Sequence, residues 1–244
     1  MPIYEARKQS PSYGHAIGIL VLDIDCPYIP GDVGNASTFS FPVLYQTVQG
    51  CDVERILFKP EQATRDVVVE AARDLVRRGV GGISSNCGYM IRYQEAVAEA
   101  VRVPVFLSSL LQIPMILASQ GRRPVGVIAA HCGALKRDLL ELAGVPSEAP
   151  VIVAGMEDQP EFNRSMLEIN GRLDSDLLRQ EMVEVASDLH RRTPDLGAIL
   201  LECAVLGPYA RAVQHATGLP VYDFTTMINY FYGGNHRTLF EGEF

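Results

Sequence analysis

VGGISSNCGYMIRYQEAVAEAVRVPVF, residues 80–106, and LGAILLECAVLGPYARAVQHATGLPVY, residues 196–222, align without a break. Just upstream, ARDLVRR (72–78) aligns with ASDLHRR (186–192) across a gap of two residues, and together the blocks hold 14 identities in 34 positions. Random pairing at ordinary residue frequencies gives about two. Cys87 pairs with Cys203, Tyr93 with Tyr209 and Pro104 with Pro220. AIGILVLD (16–23) and PVGVIAAH (124–131) precede the two copies and add a further pair. A duplicated unit of this kind predicts two lobes related by a pseudo-twofold axis.

Within each copy the pattern is that of an α/β unit. The runs 16–22, 80–85, 103–107, 124–130, 149–155, 196–201 and 219–223 are short, continuously apolar and bounded by Gly, Pro or charge. Strands covered on both faces look like this. Between them, apolar residues recur at helical spacing over Gln62–Arg78 and Asp174–Arg192. Alternating strand and helix predicts an α/β fold with a mostly parallel sheet. Lobe 1 is placed at residues 1–118 plus 220–244, and lobe 2 at 119–219. The stretch from about 24 to 60 has no helical period and many turn signals, so it reads as a cover over the cleft, with PVLYQTV and ERILF as short extra strands.

The chain has 244 residues, of which 48% are hydrophobic, and a formal charge of −8. That composition supports a packed core, and the acidic balance argues against a nucleic-acid partner. Five cysteines without a CxxC pair make no disulfide framework. With no leader-like N-terminus and no apolar run near the ~20 residues of a membrane helix, the expectation is a cytoplasmic protein with no membrane partner.

Loops at the carboxyl ends of parallel strands face the crevice where ligands bind in open α/β sheets. Cys87 and Cys203 both stand at such an end, so a pseudo-dyad brings two thiols across one cleft. A thiol ahead of a helix N-terminus is expected to favour the thiolate. Two such groups flanking a carbon acid can take a proton from one face and return one to the other, inverting the centre. Backbone N–H groups nearby would hold a carboxylate and its enolate-like transition state.

SSNCGY (84–89) and LLECAVLGPY (200–209), with AIGILVLD and PVGVIAAH ahead of them, resemble the aspartate/glutamate racemase superfamily. That superfamily includes hydantoin racemases, maleate isomerases and arylmalonate decarboxylases. The resemblance implies two pseudo-symmetric lobes, each with a roughly four-stranded parallel sheet, and an active site between them. It implies a racemase or epimerase acting next to a carboxylate, with Cys87 and Cys203 as the catalytic thiols and no cofactor or metal. It also implies substrate-binding roles for Asn86, Gly88, Tyr89 and Ala204, for Asp23 at the end of the first strand and for His131 at its counterpart. The partner implied is a small-molecule carboxylate, and homodimers are common in the superfamily. Amino-acid racemases of this kind usually carry Cys-Asn-Thr and Cys-Thr; here Cys87 precedes Gly-Tyr and Cys203 precedes Ala. The resemblance therefore speaks for the chemistry more than for aspartate or glutamate. A cysteine-dependent isomerase or decarboxylase, and a non-catalytic acid-binding or thiol-redox protein, remain as alternatives.

Other residues have plainer readings. Cys132 competes for the cleft from the end of VIAAHC, while Cys26 and Cys51 read as ordinary thiols, with Asp25 raising the pKa of Cys26. Asp25 itself either orients a thiol or an amino group or ends a strand. His15, His190, His215 and His236 read as surface or satisfied groups, and Asn35 and Thr38 as turn formers. His131 and Cys132 lack the close ligand spacing of a zinc site. Nucleotide-binding glycine motifs, H-E-x-x-H and G-x-S-x-G are absent from the sequence. Of the lysines, Lys8, Lys59 and Lys136, none reads as a pyridoxal phosphate attachment point.

Overall fold

A computed structural model of the chain describes residues 3–7, 10–59, 62–121 and 123–242. Strands β1 (Ile17–Leu22), β2 (Val43–Val48), β3 (Ile83–Ser85) and β4 (Val105–Phe106) form one parallel sheet in the order β2-β1-β3-β4. Strands β5 (Val125–Ala129), β6 (Val151–Gly155), β7 (Ala198–Leu201) and β8 (Val221–Tyr222) form the other, in the corresponding order β6-β5-β7-β8. All seven strands expected from apolar runs are present. PVLYQTV supplies an eighth, the edge strand β2. ERILF instead lies largely in a short helix, α1 (Val53–Leu57), started by the Asp52 carboxylate accepting the Arg55 N–H at 2.9 Å.

The helices are α2 (Gln62–Arg77), α3 (Gln94–Ala100), α4 (Ile113–Ser119), α5 (Arg137–Leu142), α6 (Pro160–Phe162), α7 (Ser175–Arg192), α8 (Ala210–Thr217) and α9 (Phe224–Asn235). The duplication is visible in the packing of the two long ones. A Cβ on Gly18 of β1 would lie 2.8 Å from Leu75 of α2, and one on Gly126 of β5 would lie 2.8 Å from Leu189 of α7. The glycine–leucine pairs are equivalent in the repeat. Each lets a helix lie flat on the central strand of its sheet.

The lobe boundaries differ from those expected. Residues 221–222 pair with β7 and belong to the second sheet, as the repeat itself requires. Helix α4, assigned to lobe 1, packs beside β5, joining the core that holds Val125, Val127 and Ile128. Its counterpart α9 crosses the other way. Phe224, Met227 and Ile228 bury against Ile17, Ile19 and Phe106, and the Phe231 ring stacks on Phe106 at 4.2 Å. The lobes thus exchange their last helices.

Candidate active site

Two residues beyond the ends of β3 and β7 stands a cysteine that opens a 3₁₀ turn: Cys87 before Gly88–Tyr93, and Cys203 before Ala204–Tyr209. Both thiols line one cavity. The cover contributes Ile24, Cys26, Tyr28, Val53 and Leu57, and the second lobe contributes Phe162, Met166 and Val205. No Lys, Arg, Asp or Glu side chain is among the described residues lining it.

Asn86 and Tyr89 line this cavity. Asn86 accepts the Leu22 N–H at 3.1 Å through Oδ1 and donates to the Tyr28 hydroxyl at 3.2 Å through Nδ2. Tyr28 thereby keeps its own hydroxyl hydrogen for another acceptor. The Tyr89 hydroxyl donates to the main-chain carbonyl of His131 at 2.7 Å, tying the first cysteine loop to the second lobe.

Four expected residues lie outside the cavity lining. Asp23 is exposed and accepts the Gly50 N–H at 2.8 Å, fixing the turn after β2. The His131 side chain packs edge-on against Phe58 at 5.2 Å, with Nδ1 3.7 Å from Glu157, and only its main chain serves the site, through Tyr89. Ala204 is buried in the turn after Cys203, outside the cavity lining. Gly88 faces the carboxyl of Glu202 rather than open space. Cys132, the expected competitor, is exposed and donates its thiol to Glu157 at 2.7 Å, while Cys51 is core. Thr38 and Asn35 shape the cover by bonding Asp32 and Tyr28 carbonyls. Lys8 is outside the described residues; Lys59 pairs with Glu54, and neither Lys59 nor Lys136 lines the cavity.

The thiols do not favour thiolate as their position before a helical turn suggested. Burial, followed by the charge of Glu202, pushes Cys87 well above the ordinary thiol range. The N–H groups of Tyr89 and Met90 pull the other way but more weakly. Cys203 is raised by burial, then by Glu202 and Cys87. Cys26, whose sulfur lies 3.5 Å from that of Met166, is pushed up to about 12 by burial and by Asp32, not by Asp25.

Glu202 is the residue that sequence reasoning missed. It is fully buried, Oε2 accepts the Ala130 N–H at 3.1 Å, and burial raises its pKa to about 7. Its signal was in the repeat, where it pairs with Asn86. Asp32, buried in the cover, is likewise raised to about 7 by desolvation. Nothing in its Gly-Asp-Val-Gly context announces burial.

No family model matches the chain. It is 32% identical over 231 residues to dimethylsulfoniopropionate lyase 7 of Emiliania huxleyi, covering 88% of this chain and 66% of that protein. It is 29% identical over 245 residues to dimethylsulfoniopropionate lyase of Durusdinium sp. clade D, covering 94% and 80%. Against Emiliania huxleyi lyases 7, 6 and 3 it spans 66%, 58% and 58% of their length, under two thirds. Among solved structures, unliganded arylmalonate decarboxylase superposes with a TM-score of 0.58 at 17% identity, covering 92% of this chain and 94% of the other. Glutamate racemase of Bacillus anthracis gives 0.58 at 16% identity, covering 92% and 85%. The fold is therefore the one expected from the superfamily resemblance.

Proposed function

We propose that the chain is a thiol acid–base enzyme that removes the proton next to a carboxylate, and that its reaction is elimination from a small sulfonium carboxylate of the dimethylsulfoniopropionate type. The observation that carries the reading is the convergence of Cys87 and Cys203, from equivalent loops of two lobes, on one cavity. One thiolate takes the α-proton and becomes a thiol. The C–H electron pair forms the α–β double bond, and the β-carbon–sulfur bond breaks with its electrons leaving on neutral dimethyl sulfide. An unsaturated carboxylate remains, and loss of the thiol proton to solvent restores the base. The second thiol donates a hydrogen bond to the developing enolate-like oxygen.

The wall chemistry supports a ligand of this kind. A sulfonium carboxylate carries no net charge, and the described residues lining the cavity supply no charged side chain to neutralise a free anion. Tyr28, Tyr89 and Phe162 offer aromatic surface to a soft cation and its methyl groups. Tyr28 and Asn86 also offer polar hydrogens. Lyase activity in the relatives of similar sequence points the same way.

A second reading is the two-base racemase or epimerase, favoured by the symmetric placement of the thiols and by the racemase structures sharing the fold. One experiment separates them. The purified chain is incubated in deuterium oxide with dimethylsulfoniopropionate and, separately, with D- and L-amino acids and hydantoins. Release of dimethyl sulfide with an alkene signal supports the lyase. Deuterium at a stereocentre with loss of optical rotation and no alkene replaces it with the racemase. Release of carbon dioxide from an arylmalonate, incubated in parallel, would move the assignment to a decarboxylase.

A further inference from the structure

Glu202 precedes Cys203 in the chain, yet its carboxyl reaches both of the other chain segments that frame the thiols. Oε2 accepts the N–H of Ala130, just beyond the end of β5. On the far side the carboxyl packs on Gly88, the residue after Cys87, so closely that a Cβ there would lie 2.7 Å from Cδ and Cγ. Oε1 is buried beside the Gly88 N–H without a well-formed hydrogen bond to it. A buried carboxyl oxygen so weakly served favours the neutral acid.

We propose that Glu202 is a positioning residue for the reaction: its carboxyl holds the Cys87 loop against the Cys203 loop, and its protonation state governs how readily both thiols ionise. The inference rests on the thiol acid–base reading above. The titratable groups facing the carboxyl are Cys87 and Tyr89 from the first lobe and Cys203 from its own loop. Cys51 acts on Cys87, and Asp32 acts on Cys203, from one shell further out. With Glu202 neutral, one negative charge can be placed on a thiolate. With Glu202 ionised, the same charge must sit beside a second one in a desolvated site. A negative charge on any one of the three groups thus opposes a charge on the others, and a proton leaving a thiol can be balanced by one held at Glu202.

The test follows alkylation of Cys87 by iodoacetamide against pH, read at that residue by peptide mass spectrometry in the absence of substrate. In the unaltered protein the logarithm of the rate should rise with pH below about 7, flatten as Glu202 ionises, and rise again at alkaline pH. Glu202→Gln should remove the plateau and speed alkylation at pH 8 on the order of tenfold, with little change at pH 6. Glu202→Asp, which keeps the charge, should restore slow alkylation at pH 8. A plot for the unaltered protein that is straight through neutral pH, or a Gln variant that follows it, overturns the proposal. The plot for the unaltered protein decides alone if the variants do not fold. Alkylation needs no turnover, so failure of the lyase assignment would leave this measurement intact.

Discussion

Asn86 and Glu202 make the same hydrogen bond in the two lobes: Asn86 accepts from the Leu22 N–H at 3.1 Å and Glu202 from the Ala130 N–H at 3.1 Å. The four positions are equivalent in the repeat. The bond ties each cysteine loop to the end of its central strand. The fold thus requires an acceptor at both places, and only one of them carries a titratable group. Asn86→Ala should leave the Leu22 N–H buried and unpaired, lowering unfolding stability by about 1–3 kcal/mol in a urea titration. An unchanged midpoint would show that the bond is not holding the loop.

Gly88→Ala places a methyl group against the Glu202 carboxyl, 2.7 Å from Cδ. The Glu202 side chain that it meets is fully buried. The expected cost is about 1–3 kcal/mol of stability, with loss of turnover beyond what stability explains. Denaturation and steady-state kinetics on the same preparation check both.

Cys87→Ser and Cys203→Ser replace thiols with hydroxyls that ionise far less readily. Each should lower kcat/KM for elimination by at least ~100-fold, because a serine hydroxyl in the same buried setting is a far poorer source of anionic base than a thiol. The variant lacking the base should also lose α-proton exchange in deuterium oxide. A serine variant with the original rate would remove that cysteine from the mechanism.

Stability should fall as pH rises from about 4 to 7 on account of Glu202 and Asp32. Both carboxyls have folded pKa values near 7, above those of unfolded chains. In that window the unfolded state has lost protons that the folded state keeps, so the slope of unfolding free energy with pH is negative. The contribution is fully present below the unfolded values and lost as pH passes 7. Glu202→Gln and Asp32→Asn should each flatten the curve, by on the order of 3 kcal/mol between pH 4 and 8. Paired urea titrations at the two pH values, compared with the unaltered protein, measure the difference.

The strand runs were legible because buried parallel strands need unbroken apolar residues, as IGILVL and AILL show. ERILF fitted the same description and is largely helix. An apolar run that short has no period of its own, and the Asp52 cap three residues before Arg55 was the better signal. The pairing of Cys87 with Cys203 was legible because duplication leaves identities in place. Asp23 and His131 follow the equivalent strands β1 and β5, yet their side chains turn away from the cavity. A position at the end of a strand does not fix which way a side chain leaves the turn.

From the sequence alone came the α/β class, the doubling of the unit and the two thiols at matching strand ends, all carried by local patterns and by self-similarity. Tertiary structure alone decided that α4 and α9 trade lobes, that Tyr28 and Phe162 wall the thiols, and that Glu202 sits with Ala130 and Gly88. It also decided the protonation of the site. A helix at the end of a unit can cover either sheet with the same apolar face. A carboxyl's or a thiol's affinity for its proton is set by how much water surrounds it, and that depends on residues far away along the chain.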